Sequence, residues 1–215
     1  MTCIMVRPAE DEGRVEHRFI GLLGSGAYRE SVFSIPTVCD RANEVLEVAG
    51  VSEVSHTGRA VKNVVETLPR DIVFELDSDA LAELVIDIVG LQERRIVRVF
   101  DVAEPVGPWT TVFVYVPRAR FDSELPDRVR QLVERHYRSE SRDLHTLLGS
   151  SSLARITMTV RAAERIDLER LAEAVDHLSM TWDERAQSAI CASVGDVAGR
   201  RLFGKVRHAI PGDYR

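Results

Sequence analysis

Residues 154–161 alternate without a fault, with Ala154, Ile156, Met158 and Val160 on one side and Arg155, Thr157, Thr159 and Arg161 on the other. Apolar side chains at every second position put one face of a strand against a core and leave the other polar. Such a strand needs a sheet to pair with and a layer to cover it. The sequence ahead of it supplies both. Ile72 to Leu76 reads as a short strand, and Asp77-Ser78 caps a helix whose stripe is Leu81, Leu84, Val85, Ile88 and Val89. Ile96 to Val102 reads as a strand, Glu104-Pro-Val-Gly-Pro108 as a turn, and Thr110 to Val116 as a strand with Val112, Val114 and Val116 on one face. Asp122 or Ser123 then caps a helix with Pro126 in its first turn and Val129, Leu132, Val133, His136 and Tyr137 along one side. Asp143 to Leu148 is strand-like again. The predicted series is βαββαβ, the ferredoxin-like order in which two helices cover one face of an antiparallel sheet. Residues 154–161 then pair with the preceding strand as an added edge, and Asp167 caps a further helix, with Ile166 and Leu171 placed for a hydrophobic staple.

Ahead of this series, Thr2 to Val6 and Val15 to Leu23 read as a hairpin whose turn is Glu10-Asp-Glu-Gly-Arg14. Gly24-Ser-Gly26 ends the second strand. Ser34-Ile-Pro36 opens a helix carrying Val38, Ala42, Val45, Leu46 and Ala49, and Ser55 caps another with Val61, Val64, Val65 and Leu68 that stops at Pro69. Beyond the alternating strand, Asp183 to Ala209 is helical. The expected class is therefore α+β in four parts: residues 1–24, a β-hairpin ending a preceding module; 25–70, a helical connector; 71–161, the ferredoxin-like, ACT-like domain; and 162–215, a C-terminal helical segment. A hairpin that starts at Thr2, and a chain that stops just past Pro211-Gly212 after a helical run ending at Ala209, suggest a segment excised from something longer.

Composition narrows the function classes. A chain of 215 residues can bury a core of its own, and 45% hydrophobic with 29% charged residues is ordinary for a globular protein. A net charge of -6 weighs against nucleic acid as a partner. No stretch reaches the roughly 18 apolar residues of a membrane helix, and no secretory leader is visible. Cys3, Cys39 and Cys191 form no CxxC pair or disulfide framework, which fits a cytoplasmic setting.

Candidate chemistry is thin. Gly21, Gly24 and Gly26 run G-x-x-G-x-G, the reverse of the dinucleotide fingerprint, and read as a strand exit rather than a phosphate loop. His17, His56, His136, His145, His177 and His208 stand nowhere at metal-ligand spacing. His136 reads as a histidine satisfied near the core and His56 as part of a helix start. No Gly-x-Ser-x-Gly elbow occurs. Phe113-Val-Tyr115 on a sheet strand, followed by Arg118 and Arg120, echoes aromatics that stack RNA bases, but the Lys/Arg-Gly start of that motif is missing. Catalytic, cofactor-binding and metal-ligating residues are accordingly assigned to none of these positions.

Several blocks taken in order resemble the region ahead of the catalytic domain in the large bacterial NAD-specific glutamate dehydrogenases. They are Glu16-His-Arg-Phe-Ile-Gly-Leu22, Ala27-Tyr28, Ser34-Ile-Pro36, Glu66-Thr-Leu-Pro-Arg-Asp71, Leu91-Gln-Glu-Arg94, Val114-Tyr-Val-Pro-Arg118, Ser152-Leu-Ala-Arg-Ile156 and Ala209-Ile-Pro-Gly-Asp-Tyr-Arg215. The resemblance implies an ACT-like regulatory or architectural segment of an enzyme that deaminates L-glutamate to 2-oxoglutarate and ammonia with NAD. It further implies that the catalytic residues and the NAD site lie downstream, and that the partners are other domains and subunits of a homo-oligomer. An amino-acid effector would suit an ACT-like fold. The glycine turn usual near such a ligand is replaced by Asp77-Ser78-Asp79. The alternative is a free-standing ACT-type amino-acid sensor.

Overall fold

A computed structural model describes residues 2–6, 17–21, 24–36, 38–94, 96–104, 107–149, 151–162 and 166–209. The expected turn at 10–14, the block ends at Glu16 and Leu22, the middle of the 104–108 turn and the terminal block from residue 210 lie outside them. The chain divides into two compact units, Met1–Glu93 and Arg94–Arg215. Among the described residues no helix is long and apolar enough to cross a membrane.

The first unit opens with the hairpin β1 (Thr2–Val6) and β2 (His17–Gly21), paired antiparallel with Thr2 opposite Gly21. Gly24 is the N-cap of a short helix α1 (Ser25–Arg29), so the glycine run that reads in sequence as a strand exit also starts a helical turn. A 3-10 turn (Val32–Ser34) follows, and α2 (Cys39–Val48) begins three residues past Pro36 rather than at it. The reason is local: Ile35 closes the 3-10 turn in an extended conformation, as a residue before proline prefers, and its carbonyl then accepts the Cys39 amide at 2.9 Å. Ser55 caps α3 (His56–Thr67) through the Gly58 amide at 2.9 Å, and Leu68 is extended ahead of Pro69.

The expected strand at Ile72–Leu76 is instead a helix, α4 (Arg70–Glu75). A short apolar run carries no period long enough to separate a strand from a buried helical turn. Pro69 settles it: as N-cap it gives its carbonyl to the amides of Ile72 and Val73, at 3.1 and 3.4 Å. Arg41 on α2 donates to the carbonyls of Phe74 and Leu76, at 2.7 and 3.1 Å, closing the far end of the turn. Asp77 then caps α5 (Ser78–Arg94) through the Ala80 amide at 2.8 Å, as its position suggested.

In the second unit β3 (Arg98–Ala103), β4 (Trp109–Pro117), α6 (Leu125–Tyr137), β5 (Ser141–Leu147), β6 (Leu153–Arg161) and α7 (Leu168–Ser179) follow in order. The four strands form one antiparallel sheet in the order β3-β4-β6-β5. This corrects the place of residues 154–161: β6 pairs with β5 but also with β4 over its whole length, so it is an inner strand and β5 is the edge. The element series is ββαββα. Its strand order is that of a ferredoxin-like sheet whose opening βα pair comes last in the chain, so the α+β, ferredoxin-like class stands while the sheet starts at Arg98.

Alternation explains the core. Val99, Val112, Val114, Val116, Ala154, Ile156, Met158 and Val160 cluster with Leu125, Val129, Val133 and Tyr137 of α6 and Leu171, Ala172 and Val175 of α7. Each such aliphatic side chain contributes about 1.5–3 kcal/mol on burial. Asp167 caps α7 through the Arg170 amide at 3.0 Å, and Ile166 joins the same cluster as Leu171. The long C-terminal helical run is two helices, α8 (Trp182–Val194) and α9 (Asp196–Val206), because Gly195 turns the chain at a φ of 85° that favours glycine.

Two glycines separate close packing from open space. A Cβ on Gly58 would fall 2.1 Å from the Ser52 carbonyl oxygen, whereas Gly90, inside α5, has nothing within 4 Å. Gly58→Ala is expected to lower stability by about 1–3 kcal/mol. Gly90→Ala is expected to raise it by about 0.5–1 kcal/mol. Urea unfolding followed by circular dichroism checks both signs.

Candidate functional site

Arg118 and Arg120, in the chain that leaves β4, each bond to other elements of the second unit. Pro117 ends that strand and a 3-10 turn (Arg118–Arg120) follows. The Arg118 amide donates to the Ser152 carbonyl at 2.9 Å, and its guanidinium to that of Gly149 at 2.9 Å. The Val114–Arg118 block thus ties the exit of β4 to the β5–β6 connection.

Arg120 turns to the helices. Its Nη1 donates to Asp176 on α7 at 2.6 Å and its Nε to Glu184 on α8 at 2.9 Å, with the guanidinium side chain only 17% exposed. Glu184 also closes a capping box: it accepts the Thr181 amide at 2.8 Å, while its own amide donates to Thr181 Oγ1 at 3.2 Å. Burial opposes the charge on Arg120, but the hydrogen bonds and charges of Asp176 and Glu184 outweigh it and raise its pKa. Burial likewise opposes ionised Glu184. The Thr181 amide, then Arg120 and the Thr181 hydroxyl, overcome that and hold the carboxyl below its usual range.

Two further groups sit at the end of α6. Glu134 accepts the amide and hydroxyl of Ser141 at 3.0 and 2.8 Å, and the amide bond, more than the nearby Arg130, lowers its pKa. Tyr137 donates to Asp101 on β3 at 3.0 Å, and burial together with the Asp101 charge pushes the phenol well above its usual value. Each of these groups is spent on a bond between elements. None pairs a nucleophile with a base, and none stands ready to move a proton.

The other candidates separate. Gly24 is the N-cap of a helix of five residues, and among the described residues every strand pair is antiparallel, so this glycine run does not form the strand–loop–helix cradle of a pyrophosphate. His136 Nδ1 lies 2.9 Å from the Leu132 carbonyl, the satisfied position its place on the stripe suggested. His17, His56, His145 and His177 belong to β2, α3, β5 and α7 and His208 follows α9, while among the described residues no metal-type cluster of His, Cys, Asp and Glu forms. Phe113 is fully buried and Tyr115 only 7% exposed, so neither ring offers a face to a base. Tyr115 instead meets Phe100 edge-on at 5.9 Å and is hydrogen-bonded to Arg155, whose guanidinium lies over Phe113 at 5.8 Å. Asp77, in the turn where an effector glycine was sought, is used as a helix cap.

Sequence reasoning missed the Arg120 cluster. Thr181-x-x-Glu184 carries the capping-box signal, but nothing local joins either residue to Arg120, which lies 64 positions from Glu184.

The carboxyls give a pH test. Glu134 and Glu184 titrate below the ordinary 4.5 in the folded chain, so their ionisation favours folding. That contribution is complete above the ordinary value and is lost as pH falls through the depressed ones. Urea midpoints should therefore drop between about pH 5 and about pH 3, and less steeply in Glu134→Gln than in the parent.

Two family descriptions match consecutive stretches of the chain. Residues 35–94 match "Glutamate dehydrogenase, helical motif 1" and residues 98–183 match "Glutamate dehydrogenase, ACT2 domain". The NAD-specific glutamate dehydrogenase of Halomonas elongata is 31% identical over 212 residues, which is 96% of this chain and 13% of that protein. That of Pseudomonas aeruginosa is 30% identical over 218 residues, 99% of this chain and 14% of the relative. That of Mycobacterium tuberculosis is 29% identical over 161 residues, 75% and 10%. The chain spans 13 to 14% of the length of the first two relatives.

Proposed function

Since this chain belongs to the NAD-specific glutamate dehydrogenase family, as the stretch carrying its helical motif 1 and ACT2 regions, we propose that it is a regulatory and architectural segment of such an enzyme. The whole enzyme would convert L-glutamate to 2-oxoglutarate and ammonia with NAD, in the cytoplasm. This segment contributes no catalytic residue and no NAD contact. Its partners are other domains and subunits of the same enzyme, within a homo-oligomer. We draw the ACT-like unit at residues 98–183 rather than 71–161, a reading supported by the matched region and by the sheet with its two helices that falls within it.

One observation supports this reading above the others. Two family regions match in consecutive order on a fold in which the Arg120 and Glu134 clusters hold elements together. A segment of that kind acts through where it is placed rather than through chemistry of its own.

The purified chain, mixed with glutamate and NAD, is expected to form no NADH by absorbance, and turnover would overturn the proposal. Calorimetry against the common amino acids tests the alternative. Saturable heat from the isolated chain would make it an amino-acid sensor in its own right, whereas none is expected here.

A further inference from the structure

We propose that Arg120 is a latch that sets the direction in which the α8–α9 hairpin leaves the sheet unit, the joint being Ser179–Thr181. The hairpin is braced within itself. A Cβ on Gly199 would lie 2.6 Å from Cys191 Cα, so the two helices touch backbone to backbone at that point. Arg207 near the end of α9 reaches Asp183 at the start of α8 at 3.3 Å, closing its open side. Toward the rest of the unit it is held far less. No residue of α8 is fully buried, and in α9 only Gly199 and Phe203 are. The joint carries Met180 and Thr181 in extended conformations, with ψ of 132° and 162°.

Across that joint stands Arg120. Asp176 lies before the joint and Glu184 after it, and one guanidinium holds both. It comes from a third element, the turn that follows β4, so the helix before the joint, the helix after it and the sheet share one charged group. The Arg120 side chain is 17% exposed while those of Asp176 and Glu184 are 48% and 37% exposed, so losing either carboxylate would leave the less solvated partner, Arg120, short of counter-charge. A displacement of the β4 exit is thereby passed to a stiff arm of two helices. The latch rests on geometry within this chain and goes beyond the regulatory reading, so either can fail without the other.

Pulsed electron paramagnetic resonance on the full 215-residue chain tests it, with spin labels on non-canonical residues at Gln131 and Arg201, both exposed, leaving the native cysteines in place. The parent should give one narrow distance distribution. Arg120→Gln should broaden it or add a second population, and Arg120→Lys should change it less. A distribution in Arg120→Gln that superimposes on the parent overturns the latch. Hydrogen exchange provides the second reading: amides in the first turns of α8 should exchange about tenfold faster in Arg120→Gln, with β4 and β6 within about twofold of the parent. An equal rise in the strands would make Arg120 a general stabiliser and overturn the proposal. Should Arg120→Gln not fold, Asp176→Asn with Glu184→Gln removes both charges while a glutamine can keep the capping box, and the same outcomes decide.

Discussion

The antiparallel pairing of β4 with β6 is the constraint on which the second unit depends. It runs from Trp109 opposite Arg161 to Pro117 opposite Leu153, and it puts Val114 opposite Ile156 on the face that α6 and α7 cover. On the other face it sets Tyr115 opposite Arg155 and Phe113 opposite Thr157. A slip of one residue would exchange the two faces and drive Arg155 and Thr157 into the helix-facing core. With β6 held in the middle, β3 and β5 become edges, and the exit of β4 must pass the ends of α7 and α8. That passage is where Arg120 meets Asp176 and Glu184.

Local signals were legible in the sequence and long-range ones were not. Ser55, Asp77 and Asp167 cap the helices their positions announced, because a cap is decided within three or four residues. The alternation at 154–161 gave the strand and the face that meets α6 and α7, but not that Arg155 and Thr157 on the other face are buried too, and alternation is silent on which neighbours a strand takes. Its inner place in the sheet came out only with β4 alongside. Ile72 to Leu76 reads as a strand in sequence because five residues hold no usable period; Pro69 starts a helical turn there, and the residue that closes its far end, Arg41, stands more than thirty positions away. The Arg120 cluster was missed for the same reason.

Two of the motif blocks acquire structural roles. Glu66 accepts the Ser31 hydroxyl and the Val32 amide, and Arg70 donates to the Glu30 carbonyl at 2.9 Å, so the Glu66–Asp71 block pins the turn ahead of α2 to the end of α3. The Val114–Arg118 block ends a strand and hooks the β5–β6 connection. Both blocks fall at element ends, the first at the end of α3 and the second at the end of β4.

The ββαββα arrangement with β6 inside the sheet carries the whole account, and cross-strand nuclear Overhauser effects test it most directly. Alternate Cα-proton pairs along the register from Thr110 and Val160 to Val116 and Ala154 should give strong signals, and Ile72 to Glu75 should show the sequential amide contacts of a helix. Signals linking residues 72–76 to β4, with β6 paired to β5 alone, would contradict it.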